Sequence, residues 1–132
     1  MIEIKLCGLK EPSHIEAAFS LGIKYLGFVF FDKSPRFLRN DNAKSLISLT
    51  PPGIIKVGLV VNPSDECLNS ISGLNLDMIQ LHGSESIDRV KEIKSKFMPK
   101  KTCCYIKLWI ERHFQVLTNL IKFLLHLRKI LL

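Results

Sequence analysis

The chain has 132 residues, of which 47% are hydrophobic, with a formal net charge of +7 and a mean hydropathy of +0.19. This length suits one domain with a single core, and the apolar content excludes a disordered chain. There is no run of about 18 uncharged apolar residues and no signal-peptide pattern, so we expect neither a membrane-spanning helix nor a secretion signal. The four cysteines are then expected to be reduced thiols in the cytoplasm.

Apolar runs of strand length recur along the first hundred residues. They are nearly continuous rather than alternating, which is typical of parallel strands that are covered on both faces. The predicted strands are Glu3–Cys7, Tyr25–Phe31, Ile55–Val61 and Met78–Leu81.

Helical patterns follow each predicted strand. Ser13 is the predicted N-cap of the first helix and Gly22 ends it, whereas Ser64 is the predicted N-cap of the third. Four βα units in succession predict an α/β fold with right-handed crossovers and a parallel sheet. The predicted helices are His14–Leu21, Asp41–Leu49, Asp65–Ile71 and Ser84–Phe97.

Polar or unusual residues follow each predicted strand, in loops that a parallel fold gathers at one edge of the sheet. This edge predicts a site built from Cys7, Arg36, Asn62 and His82, in half of a barrel or in a small open sheet. For three of these residues a purely structural interpretation also remains. Cys7 suits a buried core thiol, Arg36 a solvated charge, and His82 a hydrogen-bonded structural imidazole.

The last quarter of the chain differs in composition from the rest. Residues 1–99 carry 12 basic and 11 acidic side chains, whereas residues 100–132 carry seven basic side chains and one acidic, Glu111. No glycine follows Gly83 and no aspartate follows Asp88. We therefore divide the chain into an α/β segment at 1–99 and an atypical basic, Leu/Lys-rich tail at 100–132, for which a frameshift near residues 99–102 is one explanation.

The tail allows several interpretations. Apolar residues at helical spacing from Ile110 to Leu132 fit a poorly folded or solvated segment, or a helix lying on a membrane surface. We prefer the first and expect no membrane partner. No nucleic-acid motif and no aromatic platform accompany the basic residues, so we expect no nucleic-acid partner either. There is no His/Cys cluster at zinc spacing, and we expect no metal site.

Four segments together resemble the phosphoribosylanthranilate isomerase family of tryptophan biosynthesis. They are IKLCGLK at 4–10, GFVFFDKSPR at 27–36, KVGLVVNPS at 56–64 and DMIQLHGSE at 77–85, and the resemblance covers residues 1 to about 99. It implies a (β/α)₈ TIM barrel of which only about the first four βα units are readable, so that the barrel is incomplete.

The resemblance also implies an activity and roles for three residues. The family converts N-(5-phosphoribosyl)anthranilate to the corresponding 1-deoxyribulose 5-phosphate by an Amadori rearrangement, without metal or cofactor. Cys7 matches the general base, Arg36 the arginine that contacts the anthranilate part, and His82 a substrate-binding position. The general acid, expected as an aspartate on strand five, and the phosphate-binding residues are not identified in this sequence. The alternative is a non-catalytic half-barrel that self-associates through open sheet edges or assembles with another chain.

Overall fold

The computed structural model describes residues 3–97 and 102–105. Strands and helices alternate along this part of the chain, as the sequence predicts. The strands are β1 (Lys5–Cys7), β2 (Tyr25–Val29), β3 (Ile55–Val60), β4 (Met78–Leu81) and β5 (Thr102–Tyr105), and the helices are α1 (Pro12–Ser20), α2 (Asn40–Ser48), α3 (Asp65–Ser72) and α4 (Ile87–Phe97).

All five strands form one parallel sheet in the order β1-β2-β3-β4-β5. The predicted strands are confirmed, with ends that differ by no more than two residues. The fifth strand was not predicted, because it follows residue 99, where the sequence loses the glycines and acidic residues that mark βα units. It pairs with β4 in the register Met78↔Thr102 to Leu81↔Tyr105, so the sheet continues past the four readable units.

The hydrophobic core lies between the sheet and the four helices. Every second residue of the first four strands faces the helices, as Leu26 and Phe28 do from β2 and Ile79 and Leu81 from β4, and each of these is at most 4% exposed. The helices contribute apolar residues at helical spacing, which predicts this arrangement. The helical members of the core are Ile15, Ala18, Ala43, Leu46, Ile47, Leu68, Ile71 and Ile93.

The other face of the sheet is concave and carries a polar contact. Lys5 Nζ on β1 donates a hydrogen bond to the side-chain oxygen of Gln80 on β4, and Gln80 is only 2% exposed. In a flat sheet these two strands would lie about 14 Å apart, at three strand spacings. The direct contact therefore requires strong curvature, of the kind that closes a sheet into a barrel.

The starts of α1 and α4 differ from the sequence prediction by two and three residues, and the other helix ends by at most one. Helix α1 begins at Pro12 with Glu11 in the N-cap position, so the prediction that Ser13 caps it is wrong. The reason is that proline, with its fixed φ and missing N–H, suits the first helical turn and moves the start upstream of Ser13. Helix α4 begins at Ile87, three residues later than predicted. The Ser64 cap is confirmed, since its Oγ accepts from the Cys67 N–H at 3.2 Å.

Ion pairs join the third and fourth βα units. Asp65 on α3 accepts from Lys96 at 2.6 Å and from Arg89 at 2.7 Å, both on α4. These hydrogen bonds, that of Lys96 first, hold the pKa of the Asp65 carboxyl below its ordinary value. Arg89 also donates to the Pro63 carbonyl at 3.1 Å, so α4 is attached to the loop that follows β3.

Several predictions concern residues outside the described part of the chain. The helical stripe from 110 to 132 and Glu111 lie there, and the division between residues 99 and 100 stays a prediction. Within residues 3–97 and 102–105, no helix combines the length and the apolar character that crossing a membrane requires.

Candidate active site

The four predicted site residues all lie at the carboxyl edge of the sheet. Cys7 is the last residue of β1, and Asn62 and His82 come two residues and one residue after β3 and β4. Arg36 lies in the segment between β2 and α2. Parallel strands place these segments side by side, as the sequence analysis expects, and loops at this edge are where barrel enzymes bind their substrates.

The Cys7 thiol rests directly on Gly27 of the neighbouring strand. The two residues are partners in the β1–β2 register. A Cβ atom added at Gly27 would lie 2.7 Å from Cys7 Sγ and 3.1 Å from Cys7 Cα, closer than van der Waals contact allows. A residue without a side chain at 27 is therefore what makes room for the thiol, which is free and half-buried.

Arg36 covers the point where the chain leaves β1. Its Nη1 donates to the Cys7 carbonyl oxygen at 3.3 Å, and its aliphatic stem lies over Gly8, whose φ is +87°. A Cβ at Gly8 would collide with Arg36 Cδ. Gly8 thus permits both the left-handed exit from the strand and the close approach of the arginine.

The segment that carries Arg36 is held at both ends. Leu38 N donates to the Val29 carbonyl at 2.9 Å, next to a single parallel bridge between Val29 and Phe37. Ser34 Oγ accepts from Arg36 N at 3.2 Å. These contacts fix the backbone on either side of Arg36, although its side chain is exposed.

The loops after β3 and β4 are joined through a buried carboxylate. Glu85, which is 7% exposed, accepts from Asn62 N at 2.8 Å and from Gly83 N at 3.0 Å. In return Asn62 Oδ1 accepts from Ser84 N at 2.9 Å and from Ser84 Oγ at 3.3 Å. We call Asn62, Gly83, Ser84 and Glu85 the Glu85 clasp.

His82 lies between the sheet and the Glu85 clasp. Its backbone N–H donates to the Val60 carbonyl at 2.9 Å, which extends the β3–β4 ladder by one residue. Its ring is half-buried, and Nδ1 is buried with no hydrogen-bond partner among the described residues. The interpretation of His82 as a histidine whose ring is hydrogen-bonded within the fold thus finds no support at this nitrogen.

The structure groups the predicted residues in two pairs of loops. Arg36 contacts the end of β1 at Cys7, and the Asn62 loop is bonded to the loop that carries His82. Sequence reasoning missed Glu85, which it placed within the predicted helix Ser84–Phe97, whereas the structure places it before α4. A signal was present in its spacing, since Glu85 follows two residues after Gly83, within reach of that glycine's N–H.

The second described thiol belongs to a helix rather than to a strand end. Cys67 is in the first turn of α3 and packs against the hydrophobic core. Burial raises the pKa of the Cys67 thiol, and the negative charge of Asp32 raises it further. Both effects keep this thiol protonated, so it is a poor candidate for a base.

A curved parallel sheet with candidate site residues at successive strand ends is the architecture of the (β/α)-barrel class, whose members bind substrates at this edge. Comparison with known proteins identifies the member of that class. The family model for N-(5'-phosphoribosyl)anthranilate (PRA) isomerase matches residues 4–131, and the chain belongs to this family.

Curated relatives agree with the family model over a large part of the chain. The N-(5'-phosphoribosyl)anthranilate isomerase of Cereibacter sphaeroides is 46% identical over 97 residues, which are 73% of this chain and 46% of the relative. That of Ruegeria sp. (strain TM1040) is 48% identical over 97 residues, 73% of this chain and 45% of the relative. The chain spans about half the length of the curated relatives it matches.

Solved structures give the same result for the fold. Phosphoribosyl anthranilate isomerase from Thermotoga maritima superposes with a TM-score of 0.69 at 31% identity, over 74% of this chain and 48% of the other. A phosphoribosyl anthranilate isomerase in complex with reduced 1-(o-carboxyphenylamino)-1-deoxyribulose 5-phosphate superposes with a TM-score of 0.69 at 31% identity, over 74% of this chain and 50% of the other. The prediction of a barrel of which part is present is confirmed.

Proposed function

We propose that this chain carries the base-bearing half of a phosphoribosylanthranilate isomerase site. The reaction is the Amadori rearrangement of N-(5-phosphoribosyl)anthranilate to 1-(2-carboxyphenylamino)-1-deoxyribulose 5-phosphate. The observation that carries the proposal is the Cys7 thiol at the end of β1, seated on Gly27 and bordered by Arg36. A family relative that binds the reduced product supports the substrate class.

Cys7 acts as the general base in this proposal. In its thiolate form it takes the proton from the sugar carbon next to the imine, and the electron pair of that C–H bond moves towards the imine nitrogen. An acid must first protonate the ring oxygen of the ribose, so that the ring opens and the imine forms. The reaction therefore needs two proton-transfer groups, but no metal and no cofactor.

Arg36 and His82 bind the substrate in this proposal. The Arg36 guanidinium carries a permanent positive charge and five N–H donors, and it is exposed beside the end of β1. That chemistry suits the carboxylate of the anthranilate ring, which an arginine binds through two parallel hydrogen bonds. His82 lies at the same edge of the sheet, three strands away, and we assign it to the other side of the bound sugar.

We infer that the general acid and the phosphate-binding loops are missing from this chain, which makes its own activity doubtful. The resemblance places the acid as an aspartate on strand five, whereas β5 reads Thr-Cys-Cys-Tyr and the last aspartate is Asp88. Barrels of this kind bind phosphate with glycine-rich loops after later strands, and no glycine follows Gly83. For the compartment we propose the cytoplasm, which membership in a family of tryptophan biosynthesis supports.

A hybrid chain tests this proposal. Residues 1–97 of this protein are joined to the second half of the Ruegeria relative, which supplies strand five onward, and the hybrid is assayed beside the 132-residue chain. We expect the hybrid to turn over substrate at least about 100-fold faster, because a general acid contributes about 10²–10⁴-fold. Circular dichroism checks that both chains are folded. A folded hybrid without activity contradicts the base-bearing role, and equal turnover by the 132-residue chain contradicts the missing acid.

A second candidate function is a half-barrel that assembles with another copy. Among the described strands, β1 and β5 each have a neighbour on one side only, and unpaired strand edges favour pairing with a second chain. We expect size-exclusion chromatography with light scattering to give a mass above that of the 15.1 kDa chain, rising with protein concentration. A stable monomer across the concentration range contradicts this candidate and leaves the first one intact.

A further inference from the structure

We propose that Glu85 is a positioning residue that fixes the orientation of His82 at the substrate edge of the sheet. It does so by joining the loops after β3 and β4 through the Glu85 clasp. The inference rests on the proposed function only for the binding role of His82. The contacts that carry it belong to the described residues and need no ligand.

The Glu85 carboxylate is committed to backbone groups of both loops. Oε1 accepts from Asn62 N at 2.8 Å and Oε2 from Gly83 N at 3.0 Å. Hydrogen bonds to a carboxylate are stronger than those between neutral groups, and a carboxylate that is 7% exposed is costly to bury without them. The two loops are therefore held at a fixed separation by one side chain.

The backbone of each loop is shaped to fit this arrangement. Asn62 has a φ of +43°, a left-handed conformation that asparagine adopts more readily than most residues. Gly83 packs against Asn62 so closely that an added Cβ would lie 2.7 Å from Asn62 N and 2.5 Å from Asn62 Oδ1. Backbone and side chain of Asn62 both leave no space there, so the Glu85 clasp requires glycine at 83.

His82 is fixed from both sides as a result. Its N–H is bonded to Val60 of β3, and the next residue, Gly83, is bonded to Glu85. The peptide groups on both sides of the His82 Cα are thus held, and they set the direction of the Cα–Cβ bond that carries the ring. Because Nδ1 is buried, a ligand would meet the ring at Nε2.

The test uses NMR signals of the histidine rings in the 132-residue chain, with His82 assigned through His82→Gln. In Glu85→Ala we expect loss of the wild-type His82 ring signal, while the signal of His14 on α1 stays unchanged. Glu85→Gln keeps one acceptor oxygen and has the shape of glutamate, so we expect an intermediate His82 signal. Gly83→Ala is expected to resemble Glu85→Ala. The matched control is Glu16→Gln, at an exposed glutamate of α1, and it should leave both signals in place.

These outcomes separate positioning from general stability. A purely structural role of Glu85 would lower the unfolding midpoint but leave the His82 signal of the folded chain as in the wild type, which overturns the proposal. If Glu85→Ala does not fold, the His82 signal of Glu85→Gln decides in the same way. The NMR measurement involves no substrate. An inactive hybrid would therefore contradict the proposed function without affecting the NMR result, and an unchanged His82 signal would contradict the role of Glu85 without affecting the activity of the hybrid.

Discussion

Replacing Gly27 with alanine is expected to push the Cys7 thiol out of its place and to lower the free energy of unfolding by about 1–3 kcal/mol, the usual cost of overpacking. The added Cβ would lie 2.7 Å from Cys7 Sγ and 3.1 Å from Cys7 Cα. A rotation of the thiol relieves only the first contact, because the second is with backbone. Strand β1 itself must then move, and it is paired to the described part of the sheet through β2 alone.

Two measurements check this expectation. Urea denaturation gives the free energy of unfolding, and iodoacetamide labelling followed by peptide mass spectrometry gives the alkylation rate of Cys7 separately from the other cysteines. We expect faster alkylation of Cys7 in Gly27→Ala, because the displaced thiol is more exposed to the reagent. Wild-type stability together with a wild-type rate at Cys7 would show that the thiol does not depend on Gly27.

Gly73→Ala is the matched control for Gly27→Ala. Gly73 follows α3 with a φ of −76°, which alanine adopts freely, and an added Cβ would meet nothing within 4 Å. Alanine there restricts the unfolded chain and is expected to stabilise the protein by about 0.4–1 kcal/mol. The opposite signs of the two substitutions isolate the contact with Cys7 from the general effect of replacing glycine.

The sequence predicted the βα order because local patterns determine it. Continuous apolar runs mark strands buried on both faces, and the Ser64 cap is visible as a serine before an acidic turn. Strand β5 was not predicted because no glycine turn precedes its four residues and they lie in a segment of changed composition. The assignment of Ser13 as N-cap was wrong because, in the sequence, a serine at the N-cap looks like a serine in the first turn unless Pro12 before it is taken into account.

The candidate site was predictable only in part. Placing Cys7, Arg36, Asn62 and His82 at one edge needs no more than the parallel order of the strands. The Glu85 clasp depends on contacts between residues 22 and 23 positions apart in sequence, formed by backbone N–H groups that every residue except proline has. The link from Lys5 to Gln80 depends on the curvature of the whole sheet. Neither the Glu85 clasp nor the Lys5–Gln80 contact produces a local sequence pattern that could predict it.

Removal of the Cys7 thiol from the hybrid chain is expected to cause the largest loss of activity. In Cys7→Ser we expect kcat to fall by about 10²–10⁴-fold, the contribution of a general base, since a hydroxyl does not ionise to a useful extent near neutral pH. Serine fills nearly the same space above Gly27, so the sheet and the Arg36 contact with the backbone carbonyl of residue 7 remain. KM should therefore change much less than kcat in steady-state assays.

Cys67→Ser in the same hybrid is the control. Cys67 is also a free, half-buried thiol, but it lies on α3 against the core, and burial keeps its pKa raised. We expect near wild-type kcat from this variant, with at most a loss of stability from the polar hydroxyl. Equal losses of kcat in both variants would mean that the thiols matter only for folding, and an active Cys7→Ser hybrid would assign the base to another residue. A loss confined to Cys7→Ser, with KM preserved, is the pattern expected of a group that moves a proton rather than one that binds the substrate.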